Sequence, residues 1–204
     1  MPVSRRSFLL ASLPAALWLR SAQAADSPVA VIQRFYDALL AVMKEAAHLA
    51  FDQRYQRLAP VVTATFALGL TSRLSVGPAW TQMTADQQRR LTDVFSRYTI
   101  SLYASRFDDF NGERFEVDAN PVSNPNGSVV QTKLVKSDGD KVTLNYLMRQ
   151  GSAGWQVIDV YLSGTISELA TRRSEFSGIL QTSGTDGLIK LLEERTAALR
   201  TTKS

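Results

Sequence analysis

The residue types that catalysis and metal binding need are scarce in this sequence. Of its 204 residues, one is a histidine, His48, and none is a cysteine. A Ser-His-Asp site would depend on His48, and a zinc site would lack its usual thiolate and imidazole ligands. His48 lies near the predicted end of a helix, which is typical of a surface histidine beside a helix dipole. The sequence has neither a Gly-rich phosphate loop nor a GxSxG motif, so we expect no metal, no cofactor and no catalytic residue.

Two acidic features remain to be interpreted. Asp108 and Asp109 stand just before Asn111-Gly112, which predicts a solvated turn. Asp159 lies inside the apolar segment 155–162, so it is either a hydrogen-bonded structural carboxylate or an acid/base group. We favour the structural interpretation and keep as the alternative an NTF2-like enzyme that acts on a hydrophobic substrate, with Asp159 as acid/base.

The N-terminus has the organisation of an export signal. Basic residues precede a twelve-residue apolar run, 8–19, and Ala22-Gln23-Ala24 follows it. The run is too short for a membrane span, which needs roughly 20 residues, so we predict a signal peptide cleaved after Ala24. The letters SRRSFLL also match a twin-arginine signal, with leucine where lysine is common, and the ordinary secretory route stays open. Both routes predict a periplasmic protein.

The remaining chain, residues 25–204, has the length of one domain. The signal segment contains three arginines, and without them 20 basic side chains face 19 acidic ones. A chain so nearly neutral lacks the basic surface that binding to nucleic acid requires. We therefore expect no nucleic-acid partner.

The first half of this domain is predicted to be helical. Ser27 before Pro28 forms a helix start, and apolar residues then recur every three or four positions. Proline and glycine in the segment 51–80 predict short helices, with breaks at Pro60, Gly69 and Gly77. Thr84 and Gln87 form a capping box that starts a long amphipathic helix ending near Phe107.

The second half changes to a period of two. Segments 115–117, 129–135, 142–148 and 155–162 are predicted strands, separated by turn sequences such as PNG and SDG. Two helices follow, at about 167–180 and 186–199. The sequence thus predicts an α+β domain with an antiparallel sheet of about four strands and helices before and after it.

The predicted strands differ in how their faces are covered. In 142–148 apolar residues share one face, which indicates a half-buried strand. In 155–162 both faces are apolar: Trp155, Val157 and Tyr161 lie on one, and Ile158, Val160 and Leu162 on the other. The second pattern indicates either ordinary core on both sides or an internal apolar cavity.

Several motifs resemble the MlaC and toluene-tolerance family of periplasmic lipid-binding proteins. The strongest is YLMRQGSAGWQVIDVYLSGTISELATRRSEFSGILQTSGTDGLIKLLEER, residues 146–195. It resembles the family's tyrosine-containing strand, its Trp-x-Val-x-Asp-Val strand and its Arg-x-x-Phe helix, here Arg173 and Phe176. SVGPAWTQMTADQQRRLTDVF is similar to a central helix of the family. YASRFDDFNGERFEV resembles the hopanoid-associated branch, whereas Phe66-Ala67 stands where members usually have a Phe-Asp pair.

The resemblance implies a function and a site. It implies an NTF2-like curved sheet that encloses an apolar cavity, and a soluble carrier for a phospholipid or a hopanoid-type lipid. It also implies an inner-membrane ABC lipid transporter complex and an outer-membrane lipoprotein complex as partners. The expected lipid-binding residues are Phe35, Leu39, Val94, Phe95, Tyr98, Leu144, Tyr146, Met148, Val157 and Val160, with Arg173 for the head group. A third possibility is an adaptor without ligand, which would have a fully packed interior.

Overall fold

A computed structural model describes residues 27–201, so the predicted signal peptide lies outside the described residues. Five α-helices lie in this range, and short 3₁₀ helices, Ala46–His48 and Gly77–Gln82, follow α1 and α3. The α-helices are α1 (Pro28–Glu45), α2 (Phe51–Thr65), α3 (Leu68–Val76), α4 (Ala85–Arg106) and α5 (Glu168–Thr201). None of the described helices combines the length and the apolar character that a membrane span requires.

Seven strands of the described chain, which follow α4 and precede α5 in the sequence, form one antiparallel sheet. They are β1 (Arg114–Val117), β2 (Val122–Asn124), β3 (Gly127–Val130), β4 (Thr132–Val135), β5 (Lys141–Gly151), β6 (Gly154–Leu162) and β7 (Ile166–Ser167). The long strand β5 pairs with β3 and β4 along one edge and with β6 along the other. The α+β class and the antiparallel meander are confirmed, and the expected number of about four strands is wrong.

The difference in strand number comes from local breaks. The predicted strand 129–135 is interrupted at Gln131, where the Thr132 amide donates to the Asn145 side chain instead of a ladder carbonyl. Register is unchanged across the break, since Val130 pairs with Tyr146 and Lys133 with Thr143. β3 and β4 are therefore one strand with a bend, and the short strands β1, β2 and β7 extend the sheet at its edges.

A β-bulge in β6 changes which residues share a face. Met148 pairs with Val157 and Leu147 with Asp159, so Ile158 is the extra residue. Paired residues of an antiparallel sheet point to the same face. Val157 and Val160 therefore share the helix-covered face, and the expectation that they point to opposite faces is wrong. The middle of β6 is buried on both sides, as its apolar pattern predicts.

The helix starts follow the sequence closely. The Ser27 hydroxyl accepts from the Ala30 amide at 3.1 Å, and Thr84 and Gln87 exchange the two bonds of a capping box. The predicted break at Pro60 is wrong: Pro60 lies inside α2, with its ring exposed to solvent. The predicted separation of the last two helices is confirmed, because Gly184 has φ 65° and ψ −171° and interrupts α5.

Helices and sheet share a single hydrophobic core. α1 contributes Ile32, Phe35 and Leu39, each with no exposed surface, and the second segment of α5 contributes Leu188 and Leu192. These residues join the inner face of the sheet in one cluster. The same face of β5 and β6 continues beyond α1 toward α4 and the start of α5, and there the packing is incomplete.

Candidate functional site

An apolar cavity of about 140 Å³ lies between α4, the first turns of α5 and the inner face of β5 and β6. Its apolar walls are Phe66, Leu68, Phe95, Leu102, Tyr103, Phe107, Leu144, Tyr146, Val157, Ile158, Val160, Leu162 and Leu169. Thr71, Thr99, Arg106, Asp159, Glu168 and Arg172 complete the lining. The aliphatic and aromatic share of this lining suits a hydrocarbon ligand.

Aromatic rings form the part of the cavity wall nearest α1. Phe35 of α1 contacts Phe66, Tyr103 and Tyr146 edge-on, with ring centroids 5.4, 5.3 and 6.3 Å away. These three rings line the cavity, whereas Phe35 lies behind them. Edge-to-face packing of this kind fixes ring orientation, so this wall is rigid.

A buried hydroxyl chain supports the same wall. The Tyr36 hydroxyl lies 2.6 Å from Thr132 Oγ1 and 3.0 Å from the Tyr146 hydroxyl, and Thr132 Oγ1 donates to the Leu144 carbonyl. Burial raises the pKa of Tyr36 to about 12, and burial also raises the pKa of Tyr146. These hydroxyls therefore stay neutral at ordinary pH and link α1 to β4 and β5.

The corner between α2 and α3 is attached directly to β6. Phe66 forms a parallel bridge with Val157, and the Ala67 amide donates to the Val157 carbonyl at 2.9 Å. This bridge places Phe66 at the cavity. The bulge at Ile158 follows Val157 directly. Because of it, Val157 and Val160 lie on the same face of the sheet.

Asp159 holds the start of α5. Its carboxylate accepts from the Val160 amide at 2.7 Å, from the Leu169 amide at 2.9 Å and from the Ser167 hydroxyl at 2.5 Å. Ser167 in turn accepts from the Ala170 amide. The carboxylate thus satisfies a helix N-terminus, which is the role of a structural acid.

Charged side chains lie at the α4 and α5 side of the cavity. The Arg172 guanidinium lies over the rings of Phe95 and Tyr98, at 5.3 and 5.6 Å from their centroids. Burial and the nearby Tyr36 raise the pKa of Tyr103, and the charges of Arg172 and Arg106 oppose that rise. The cavity therefore has an apolar body and a charged part, where Arg106 and Arg172 lie together with the carboxylates of Asp159 and Glu168.

Half of the residues expected to bind lipid line this cavity. They are Phe95, Leu144, Tyr146, Val157 and Val160. The others lie outside the lining: Phe35, Leu39, Val94 and Met148 in the packed core, and Tyr98 beneath Arg172. Arg173 also lies outside it. A Cβ added to Gly77 would be 3.0 Å from Arg173 Nε, so that guanidinium rests against α3.

Sequence reasoning missed a complete face of α4. Thr99, Leu102, Tyr103 and Arg106 follow Phe95 at helical spacing and all line the cavity. Because Phe95 was already an expected cavity residue, this spacing could have predicted the other four from the sequence. Phe66 and Arg172 had no comparable signal, because their positions depend on the bridge to β6 and on the direction in which α5 leaves the sheet.

The remaining candidates for chemistry have structural positions. His48 is exposed in the 3₁₀ turn after α1. Asp109 is exposed and accepts from the Phe110 amide and the Asn111 side chain, as the predicted solvated turn requires. For Asp108 that prediction is wrong, because this carboxylate is half-buried and lies 4.0 Å from the Arg54 guanidinium. Among residues 27–201, no group of three potential metal ligands comes together.

Comparisons with known proteins agree with this geometry. The family described as MlaC protein matches residues 33–194. A phospholipid-binding protein from Ralstonia solanacearum, solved in complex with a phospholipid, has a similar structure with a TM-score of 0.74. The two sequences are 22% identical, and the match covers 85% of this chain and 99% of that one. No curated protein matches the sequence. Because the family match spans most of the chain, this protein belongs to the MlaC family.

Proposed function

We propose that this protein is a periplasmic carrier that holds the acyl part of a phospholipid in the cavity between α4, α5 and the sheet. The observation that supports this most is the apolar cavity itself, in a chain of a family whose members are periplasmic. In this proposal the sheet has the NTF2-like curvature that lets it surround a lipid. A hopanoid-type lipid is the alternative cargo.

The physical need for such a carrier is large. Moving one methylene from hydrocarbon to water costs about 0.8 kcal/mol, so two chains of about 16 carbons cost on the order of 25 kcal/mol. A protein cavity as apolar as a membrane removes most of that cost. Exchange with the two membranes then needs partners, for which we propose an inner-membrane ABC lipid transporter complex and an outer-membrane lipoprotein complex.

The size of the cavity adds a requirement. A volume of about 140 Å³ is close to that of an engineered cavity of about 150 Å³ that holds benzene, and far below a typical ligand pocket. Two acyl chains therefore need the walls to separate. The α1 side is tied by aromatic packing and hydroxyl bonds, so in this proposal the first segment of α5 is the wall that moves.

The first test is native mass spectrometry of the mature protein purified from its own periplasm without detergent, followed by lipid extraction. We expect one phospholipid per protein. A hopanoid adduct would mean that the cargo is a hopanoid-type lipid and would still support the carrier function. A protein without extractable lipid would favour the adaptor or enzyme alternatives.

A matched pair of variants links the lipid to the cavity. Leu144→Arg places a charge among the apolar walls and should abolish lipid occupancy, because an unpaired charge is costly in an apolar site. Val122→Arg adds the same charge to the same sheet where the side chain is 49% exposed, and it should keep the lipid. Equal occupancy in both variants would contradict the proposed site.

A further inference from the structure

Arg172 is a cavity residue without an acidic partner. Within residues 27–201, no carboxylate oxygen lies within 4.0 Å of its guanidinium nitrogens, although ten other ion pairs are present in that range. Glu168, one turn earlier on α5, also lines the cavity and is not paired with it. The cation is only half-buried, so it remains accessible to a ligand.

Contacts with aromatic rings place the Arg172 side chain at the cavity wall. The central carbon of its guanidinium lies 5.3 and 5.6 Å from the ring centroids of Phe95 and Tyr98. A cation–π contact of this kind uses the charge of the guanidinium but forms no hydrogen bond to an oxygen. The N–H groups of an arginine can present two parallel donors that match the oxygens of a phosphate or a carboxylate.

A second polar group lies at the same turn of α4. Thr99 is 7% exposed and lines the cavity, and its hydroxyl has no hydrogen-bond partner in the described part of the chain. A buried hydroxyl without a partner is unfavourable, and a ligand oxygen in the cavity would satisfy it. Thr99 lies one turn after Phe95, the ring that Arg172 contacts, and all three residues line the cavity, so this hydroxyl and the guanidinium belong to one region of its wall.

The backbone at the start of α5 does not compete for the same ligand. Asp159 accepts from the Leu169 amide, and Ser167 accepts from the Ala170 amide. These two amides are therefore already occupied. Arg106 also lines the cavity and forms no ion pair within 4.0 Å among the described residues. Together with Arg172 it faces two carboxylates of the lining, of which Asp159 already accepts three hydrogen bonds.

We propose that the cavity selects an anionic amphiphile, whose phosphate or carboxylate is bound by Arg172 and whose ester carbonyl accepts a hydrogen bond from Thr99. This inference rests on the proposed function and adds head-group selectivity to it. The acyl chain then extends from Thr99 along the apolar walls. A lipid with the same chains and no anionic group leaves Arg172 without a partner and binds more weakly.

Competition between two lipids in one sample tests the selectivity. The mature protein, stripped of lipid, is incubated with dioleoylphosphatidylcholine vesicles that contain equal amounts of dioleoylphosphatidylglycerol and dioleoylglycerol. The protein is separated by size exclusion, and its bound lipids are quantified by mass spectrometry. We expect the bound ratio of phosphatidylglycerol to diacylglycerol to exceed ten, since charge-assisted hydrogen bonds are worth about tenfold or more in affinity.

Three variants locate the effect. Arg172→Gln should lower that ratio about tenfold. Arg97→Gln removes an exposed α4 arginine paired with Asp93 and should leave the ratio unchanged. Arg173→Gln distinguishes the head-group role expected from sequence from the one proposed here. A ratio that falls with Arg173 and not with Arg172 would overturn the proposal.

The outcomes separate the two proposals. A wild-type protein that binds both lipids equally overturns the selectivity and leaves the carrier function intact. Absence of any bound lipid contradicts the carrier function itself. Replacing phosphatidylglycerol with oleate shows which anion the site accepts: an Arg172-dependent ratio with phosphatidylglycerol alone assigns a phosphate, and the same ratio with oleate extends the site to carboxylates.

Thr99→Val supplies a readout that does not depend on charge. The substitution keeps the shape of the side chain and removes the unpartnered hydroxyl. We expect a higher Tm for the lipid-free protein together with weaker binding of ester-linked lipid. If ester-linked and ether-linked lipids bind the variant and the wild type in the same ratio, Thr99 does not contact the ester.

Discussion

The two ends of the interior are built from the same residue types and differ in packing. On the α1 side, Phe35, Tyr36 and Leu39 are at most 1% exposed and contact neighbours through rings and hydroxyl bonds. On the α5 side, Leu144 and Val160 face a void of about 140 Å³. The difference teaches that close packing, and the stability that comes with it, is concentrated at the α1 end, while the α5 end is incompletely packed.

Tyr146 marks the boundary between the two ends. Its hydroxyl is bonded to Tyr36 on the packed side, and the residue also lines the cavity. A lipid that enters the cavity therefore meets a wall whose position is set by α1. The wall opposite, formed by the first segment of α5, is held by the carboxylate of Asp159.

The largest expected effect is on the free energy of unfolding, when one side chain at each end of the interior is truncated to alanine. Phe35→Ala removes a ring that contacts Phe66, Tyr103 and Tyr146, and it should lower the free energy of unfolding by about 3–5 kcal/mol. Leu144→Ala removes a side chain already next to a void and should cost about 1–2 kcal/mol. Chemical denaturation of the lipid-free variants measures both values. Equal losses would mean that the cavity is closed in solution.

The next prediction concerns alkaline pH and the hydroxyl chain of the packed side. A tyrosine whose pKa is higher in the folded chain stabilises the fold fully below its unfolded pKa, 10.0, and this contribution is lost as pH rises. Because burial raises the pKa of Tyr36 to about 12, its contribution should fall by about 3 kcal/mol between pH 10 and 12. Denaturation at a series of pH values, followed by tyrosinate absorbance, measures the loss.

Tyr36→Phe provides the control for the pH experiment. The variant loses the contacts to Thr132 and Tyr146, so it should be less stable at neutral pH by about 1 kcal/mol. Its stability should then depend less on pH above 10. A pH dependence unchanged from wild type would show that Tyr36 is not the group responsible.

A smaller effect is expected where the first segment of α5 is attached to β6. Asp159→Asn replaces a carboxylate that accepts three hydrogen bonds with an amide that presents one oxygen. We expect a loss of about 1–3 kcal/mol in the free energy of unfolding and unchanged lipid identity. Ser167→Ala leaves Asp159 unaltered and removes two bonds of the same helix start, the one to Asp159 and the one from the Ala170 amide. A similar loss there would support the structural role.

The same variant tests the enzyme alternative. Full biological activity of Asp159→Asn would remove Asp159 as an acid/base group. Loss of that activity in a variant that still folds and binds lipid would favour catalysis over carriage.

Features that depend on neighbouring residues were predictable from sequence. The Ser27 cap, the Thr84–Gln87 capping box and the SDG turn between β4 and β5 each need only a few adjacent positions. The hydrophobic periodicity, every three or four residues in the first half and every two in the second, also predicted the helices and the antiparallel meander. Pro60 was misread because a proline whose ring faces solvent is tolerated inside α2.

The distinction between core and cavity was not predictable in the same way. Phe35 and Phe95 have similar positions in their amphipathic helices, and only the second faces the void. The bulge at Ile158 and the bend at Gln131 arise from side-chain bonds and register, which no local pattern records. Arg172 and Arg173 differ by one position on α5, and the turn of the helix decides which of them reaches the cavity.

The smallest effect compares two glycines of α5, one inside the first segment of the helix and one at the break that ends it. Gly184 has φ 65° and interrupts the helix, whereas Gly178 lies inside the helix, and a Cβ at either position would meet no atom within 4 Å. Sterics therefore do not contribute, and only the backbone differs. Gly178→Ala should stabilise the protein by about 0.5–1 kcal/mol, since alanine favours the helix. Gly184→Ala should destabilise it by about 1–2 kcal/mol, because alanine is strained at that φ. Thermal unfolding measures both stability changes.

The rate of lipid exchange tests whether the first segment of α5 moves. If the break at Gly184 allows that movement, the alanine at 178 should leave the exchange rate unchanged, and the alanine at 184 should alter it. Identical exchange in both variants would place the moving element elsewhere than α5.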